Sequence, residues 1–133
     1  MTTFVLIHGA YQGGWIWQPT AARLRAAGHL VYAPSLDGCG ERRHSLRPGI
    51  TTAAHATEVA DLLFYNDLRD VTLAGTSAGG MVICRTAELA RAYPHLADYM
   101  ASHRALRLIS WSRPVRPDGS MDQPRRVASR QTR

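Results

Sequence analysis

The chain has 133 residues, 45% of them hydrophobic, and a formal net charge of +6. That length suits one domain or part of one, able to bury roughly two-thirds of its unfolded surface. No apolar run approaches the ~20 residues of a membrane helix and no basic-then-apolar leader precedes the first strand, so a cytoplasmic protein with no membrane partner is expected.

In chain order, Phe4-Val5-Leu6-Ile7 is an unbroken apolar run ending at His8-Gly9, the pattern of a parallel strand buried on both faces. Gly13-Gly14 interrupts the chain. A helix is predicted from Trp17-Gln18-Pro19-Thr20 to Ala27, with Pro19 in its first turn and Gly28 as its stop. Leu30 to Ala33 reads as a second strand, ended by Pro34, and residues 35–50 as a loop. Thr51 or Thr52 caps a second helix to about Phe64, with Ala56, Val59, Ala60 and Leu63 on one face. A third strand spans Val71 to Ala74, and another helix runs from Gly80 to about Tyr93. Leu106 to Ile109 is a candidate fourth strand.

Alternation of strand and helix predicts an α/β fold, a parallel sheet of three to four strands with flanking helices. With the first strand central, between the second and third, the loops after Ile7 and Ala74 share a crevice at the carboxyl ends of their strands.

Between the third strand and the last helix stands Gly75-Thr76-Ser77-Ala78-Gly79, the G-x-S-x-G pattern with a strand before it and a helix after it. A serine on so sharp a turn takes strained backbone geometry. Gly75 and Gly79 let strand and helix approach closely enough to expose its hydroxyl. Cys39 and Cys84 fit neither a metal spacing nor a disulfide framework.

These residues carry a resemblance. His8-Gly9-Ala10-Tyr11 with Gly13-Gly14-Trp15 and Trp17, Leu24 through His29, Gly38-x-Gly40-Glu41-Arg42 and Gly75 through Met81 together resemble the α/β-hydrolase superfamily. The likeness is to its small esterases akin to plant methylesterases and hydroxynitrile lyases, and it covers about residues 3 to 93. It implies a partial α/β-hydrolase fold with Ser77 as nucleophile, and an oxyanion hole built from the backbone N–H groups of Ala10 and Ala78. It assigns His8 and Gly9 to the oxyanion loop, with Gly75 and Gly79 supporting the elbow. Tyr11 borders the crevice, and Trp15 and Trp17 border it or pack in the core. The implied partner is a small, fairly apolar ester, with no cofactor and no metal.

The resemblance also implies a triad in the order serine, acid, histidine. After Ser77 stand His95 and His103, with Glu88, Asp98, Asp118 and Asp122 as the acids. A helix rising 1.5 Å per residue carries His95 some ~25 Å from Ser77. Glu41 and Asp37 are the acids least remote from supporting His8 as a base. A triad lacking its acid and histidine is therefore expected, and with it the alternatives of an inactive truncated hydrolase or a non-catalytic binding module. Hydroxynitrile lyase chemistry is the sister possibility within the fold.

Charge divides the chain. Residues 1–84 hold six arginines and six acidic residues, residues 85–133 ten arginines and four, and lysine is absent throughout. Residues 1–109 are expected to form the domain. Residues 110–133, with six arginines and three prolines, are expected to stay disordered. No nucleic-acid-binding module accompanies these arginines, so nucleic acid is not an expected partner. The sequence leaves the oligomeric state open.

Overall fold

A computed structural model describes residues 1–92 and 107–111. Among these residues four parallel strands form one sheet in the order β2-β1-β3-β4, with β1 at Thr3–Ile7, β2 at Leu30–Tyr32, β3 at Val71–Thr76 and β4 at Arg107–Trp111. The central place expected for β1 is the one it takes. In register, Ile7 stands opposite Gly75, so β1 and β3 end side by side. Of the expected 110–133 tail, Ser110 and Trp111 belong to β4, and the rest lies outside the described residues. So do His95, His103, Asp98, Asp118 and Asp122.

Helices α1 (Gln18–Ala26), α2 (Thr52–Tyr65) and α3 (Ala78–Ala92) connect the strands. Pro19 sits in the first turn of α1, and Gly28, just past its end, takes φ 84°, a conformation open to glycine at little cost. Thr51 caps α2, its hydroxyl accepting the Ala54 N–H at 3.1 Å. The four α2 residues placed on one face by their spacing, Ala56, Val59, Ala60 and Leu63, are all buried.

Alternation along β1 feeds two cores. Val5 and Ile7 pack with Val59, Leu63, Leu73, Val82 and Ile83 beneath α2 and α3. Phe4 and Leu6 turn to the opposite face and meet Ala21, Leu24 and Trp17 from the α1 side. A strand buried on both faces accounts for the unbroken apolar run in the sequence. No helix among the described residues is long and apolar enough to cross a membrane.

Candidate active site

The elbow is built by steric necessity. A Cβ on Gly75 would lie 2.5 Å from the Gly79 carbonyl, and one on Gly79 would lie 2.5 Å from the carbonyl oxygens of both Ile7 and His8. All of these are backbone atoms that cannot swing aside. Between the two glycines, Ser77 takes φ 52°, left-handed and strained for a residue with a side chain, and stands exposed. Gly80 N–H donates to the Ser77 carbonyl at 2.9 Å, starting α3 directly from the turn.

Against this turn lies the loop after β1. A Cβ on Gly9 would come within 3.2 Å of the Ser77 Cβ and of the Thr76 carbonyl, so the two loops touch. His8 is 2% exposed, and both of its ring nitrogens are engaged. Leu36 N–H donates to Nε2 at 3.0 Å, which leaves the proton on Nδ1 to be donated to the Gly9 carbonyl at 2.8 Å. A general base needs an open lone pair, and this ring offers none toward Ser77. Among the described residues the Ser77 hydroxyl has no hydrogen-bond partner.

The acids near this loop are committed elsewhere. Glu41 accepts from the Ser35 hydroxyl at 2.6 Å, and that bond, before all else, holds its carboxyl below the usual range. Asp37 accepts from Arg47 at 2.8 Å and from the Ser45 hydroxyl at 2.5 Å, and these two bonds lower its pKa to about 2. Glu88 pairs with Arg85 one turn along α3.

A cleft of about 450 Å³ opens between the two loops. Ala10, Tyr11 and Gln12 line one side, Ala78 and Val82 the α3 side, and Gly38, Cys39 and Leu46 the far wall. Ion pairs tie that wall down. Arg42 bridges the Ser35 carbonyl, Glu58 on α2 and Asp37, and the Glu58 carboxylate in turn accepts from Asp37 N–H at 2.9 Å. The pairing with Glu58 raises the Arg42 pKa further.

Two cleft residues escape a reading of the sequence alone. His55 lies on α2, where its Nε2 meets the Asp37 carbonyl at 2.9 Å. Cys39 follows a glycine in an irregular loop; burial first, then Glu58 and Asp37, push its thiol pKa up. A helix facing a loop some 18 residues away in sequence leaves no local signal. Tyr11 borders the cleft as expected, with φ 59°, whereas Trp17 does not. The 3-10 turn Gly14–Trp17 carries its ring to the α1 face, where it lines a separate apolar cleft with Phe4, Leu24 and Ile109. No group of three or more His, Cys, Asp or Glu among the described residues is placed to hold a metal ion.

Comparison with known proteins gives this geometry a family. The chain belongs to the alpha/beta hydrolase family, whose model matches residues 4–133. It is 44% identical over 88 residues to a carbendazim hydrolyzing esterase of Nocardioides sp. (strain SG-4G), covering 66% of this chain and 36% of that protein. An alpha-hydroxynitrile lyase of Arabidopsis thaliana is 32% identical over 87 residues, 65% of this chain and 34% of its own length. Among solved structures, an extracellular α/β-hydrolase from a Paenibacillus species aligns with TM-score 0.61 and 36% identity, over 67% of this chain and 36% of that one. The aligned part of the chain therefore spans about a third of each relative's length.

Proposed function

We propose that Ser77 is the nucleophile of a carboxylic ester hydrolase that works through an acyl-serine intermediate. The observation that carries this reading is the exposed, left-handed Ser77 on a strand-to-helix turn, pressed against the His8-Gly9 loop, which itself lines the cleft. In this reading the Ser77 Oγ adds to the ester carbonyl carbon while the hydroxyl proton passes to a base. The carbonyl oxygen becomes an oxyanion held by the N–H groups of Ala10 and Ala78. Collapse of the adduct breaks the bond to the alcohol, which leaves with a proton, and water then releases the acid by the same steps in reverse.

His8 serves this scheme by position. Its Nδ1–H holds the Gly9 carbonyl, and that carbonyl shares a peptide plane with the Ala10 N–H. Fixing one end of a trans peptide fixes the direction of the other, so the oxyanion donor is aimed before substrate arrives.

A second reading, a site that binds esters without turning them over, is favoured by the absence of a hydrogen-bond partner for the Ser77 hydroxyl among the described residues. A serine without a base is a weak nucleophile at neutral pH. The likeness to an alpha-hydroxynitrile lyase makes cyanohydrin cleavage the related alternative. Hydrolysis of an aryl acetate by the full chain and by Ser77→Ala separates these. A rate that Ser77→Ala abolishes supports the esterase, and a rate unchanged by it removes Ser77 as nucleophile. Release of cyanide from a cyanohydrin, with no ester turnover, would favour the lyase.

A further inference from the structure

We infer that Gln12 is a positioning residue of the oxyanion loop, acting as a clamp on the Gly9 amide; the catalytic part of this inference rests on the esterase reading. Gly9 N–H donates to the Gln12 Oε1 at 2.9 Å, and Gln12 itself lines the cleft beside Ala78. The bond settles the orientation of the carboxamide, since only its oxygen can accept.

The clamp matters because of what it completes. Gly9 is flanked by two peptide planes and carries no side chain, so its φ and ψ are the least restricted in the loop. The plane after it, which contains the Ala10 N–H, is held by His8 through the Gly9 carbonyl at 2.8 Å. The plane before it, which contains the Gly9 N–H, is held by Gln12. With both planes pinned, neither backbone torsion of Gly9 can drift. With only one pinned, the Ala10 donor keeps a hinge directly beneath it. A side chain on Gly9 would impose stiffness another way, but its Cβ would meet Gln12 Oε1 at 3.0 Å and the Ser77 Cβ at 3.2 Å. The loop thus needs a glycine for the close approach and an outside clamp to restrain it. Tyr11, left-handed at φ 59°, turns the chain back so that Gln12 reaches a partner three residues behind it.

The test uses two variants in the full chain. Gln12→Met keeps the length of the side chain and removes the strong acceptor. Gln12→Glu restores an oxygen acceptor for Gly9 N–H. By amide hydrogen exchange, Gln12→Met should speed exchange at Gly9 by about tenfold or more while the β1 amides of Val5 and Leu6 keep their protection, and Gln12→Glu should return Gly9 to the wild-type rate. In aryl acetate hydrolysis Gln12→Met should lower kcat by about 10–100-fold, less than the ~10²–10³ of losing an oxyanion donor outright, with KM nearly unchanged. Wild-type Gly9 protection in Gln12→Met, or fast exchange persisting in Gln12→Glu, would overturn the clamp. A raised KM at constant kcat would overturn the positioning role, because it reports a contact with bound substrate instead. If wild type has no Ser77-dependent hydrolysis, the esterase reading fails by itself, and Gly9 exchange still decides whether the clamp exists.

Discussion

Replacing Gly79 with alanine isolates the contact that brings the turn at Ser77 against the loop after β1. Two effects of opposite sign compete. Gly79 lies in the first turn of α3, where alanine is favoured over glycine by about 1 kcal/mol. Against this, the new methyl would sit 2.5 Å from two carbonyl oxygens of the β1 end, those of Ile7 and His8. Relief requires α3 and the central strand to part by several tenths of an ångström, and overpacking of a rigid site costs about 1–3 kcal/mol. With backbone on both sides, the upper end applies, and the net loss should be about 2 kcal/mol.

The assay is urea unfolding of wild type, Gly79→Ala and, as control, Gly28→Ala. Gly28 has φ 84°, and a methyl group there would meet nothing within 4 Å, so alanine incurs only the left-handed penalty of about 1–2 kcal/mol. The two variants separate by consequence rather than by size. Gly79→Ala shifts the His8-Gly9 loop relative to Ser77 and, on the esterase reading, should lose Ser77-dependent hydrolysis, whereas Gly28→Ala should keep it. A Gly79→Ala protein as stable as wild type would refute the steric account of the elbow.

Two further outcomes follow from the loop that walls the cleft. Ser35 is 4% exposed, and its hydroxyl accepts Gly14 N–H at 2.8 Å while donating to Glu41, so Ser35→Ala strands a buried N–H and should cost about 1–3 kcal/mol by thermal or urea unfolding; a loss under about 0.5 kcal/mol would contradict this. Asp37, with its pKa lowered to about 2 by Arg47 and Ser45, stabilises the fold fully above the unfolded value of about 3.9 and loses that contribution as pH falls through 2; the stability gap between wild type and Asp37→Asn should therefore close from pH 5 to pH 2, and a gap that widens on acidification would reverse the sign.

What the sequence disclosed and what it hid divide along physical lines. The apolar run Phe4–Ile7, the cap at Thr51 and the Gly75/Gly79 spacing were legible because each is a local rule: burial on two faces, an orphan N–H, a turn too tight for side chains. The 3-10 turn at Gly40–Ser45 was not, since its hold comes from Arg42 reaching Glu58 sixteen residues away. Trp17 illustrates the limit at closer range. Its place beside the Gly13-Gly14 break left either side of the sheet open, and only the direction of one short turn sends it to the α1 face. His55 and Cys39 enter the cleft through tertiary packing alone. Gln12 stood in plain view three residues after Gly9, yet nothing in its type distinguishes a clamp from a solvated loop residue.

The strain at Ser77 ties these parts into one device. A left-handed serine costs about 1–2 kcal/mol relative to relaxed backbone, and it would relax if its neighbours allowed. They do not, because relaxation would move Gly75 against Gly79, or Gly79 against the Ile7 and His8 carbonyls, where the available gap is already smaller than a methyl group. The same carbonyl end of β1 is anchored from the other direction by Leu36 N–H on the His8 ring, one strand-loop away. Serine, glycine loop and β2 loop therefore restrain one another through backbone contacts and hydrogen bonds rather than through side-chain packing. Such a site keeps its shape when the exposed cleft-lining side chains change, so that variation at Tyr11 or Leu46 alters what the cleft admits while leaving Ser77 and the loop after β1 in place.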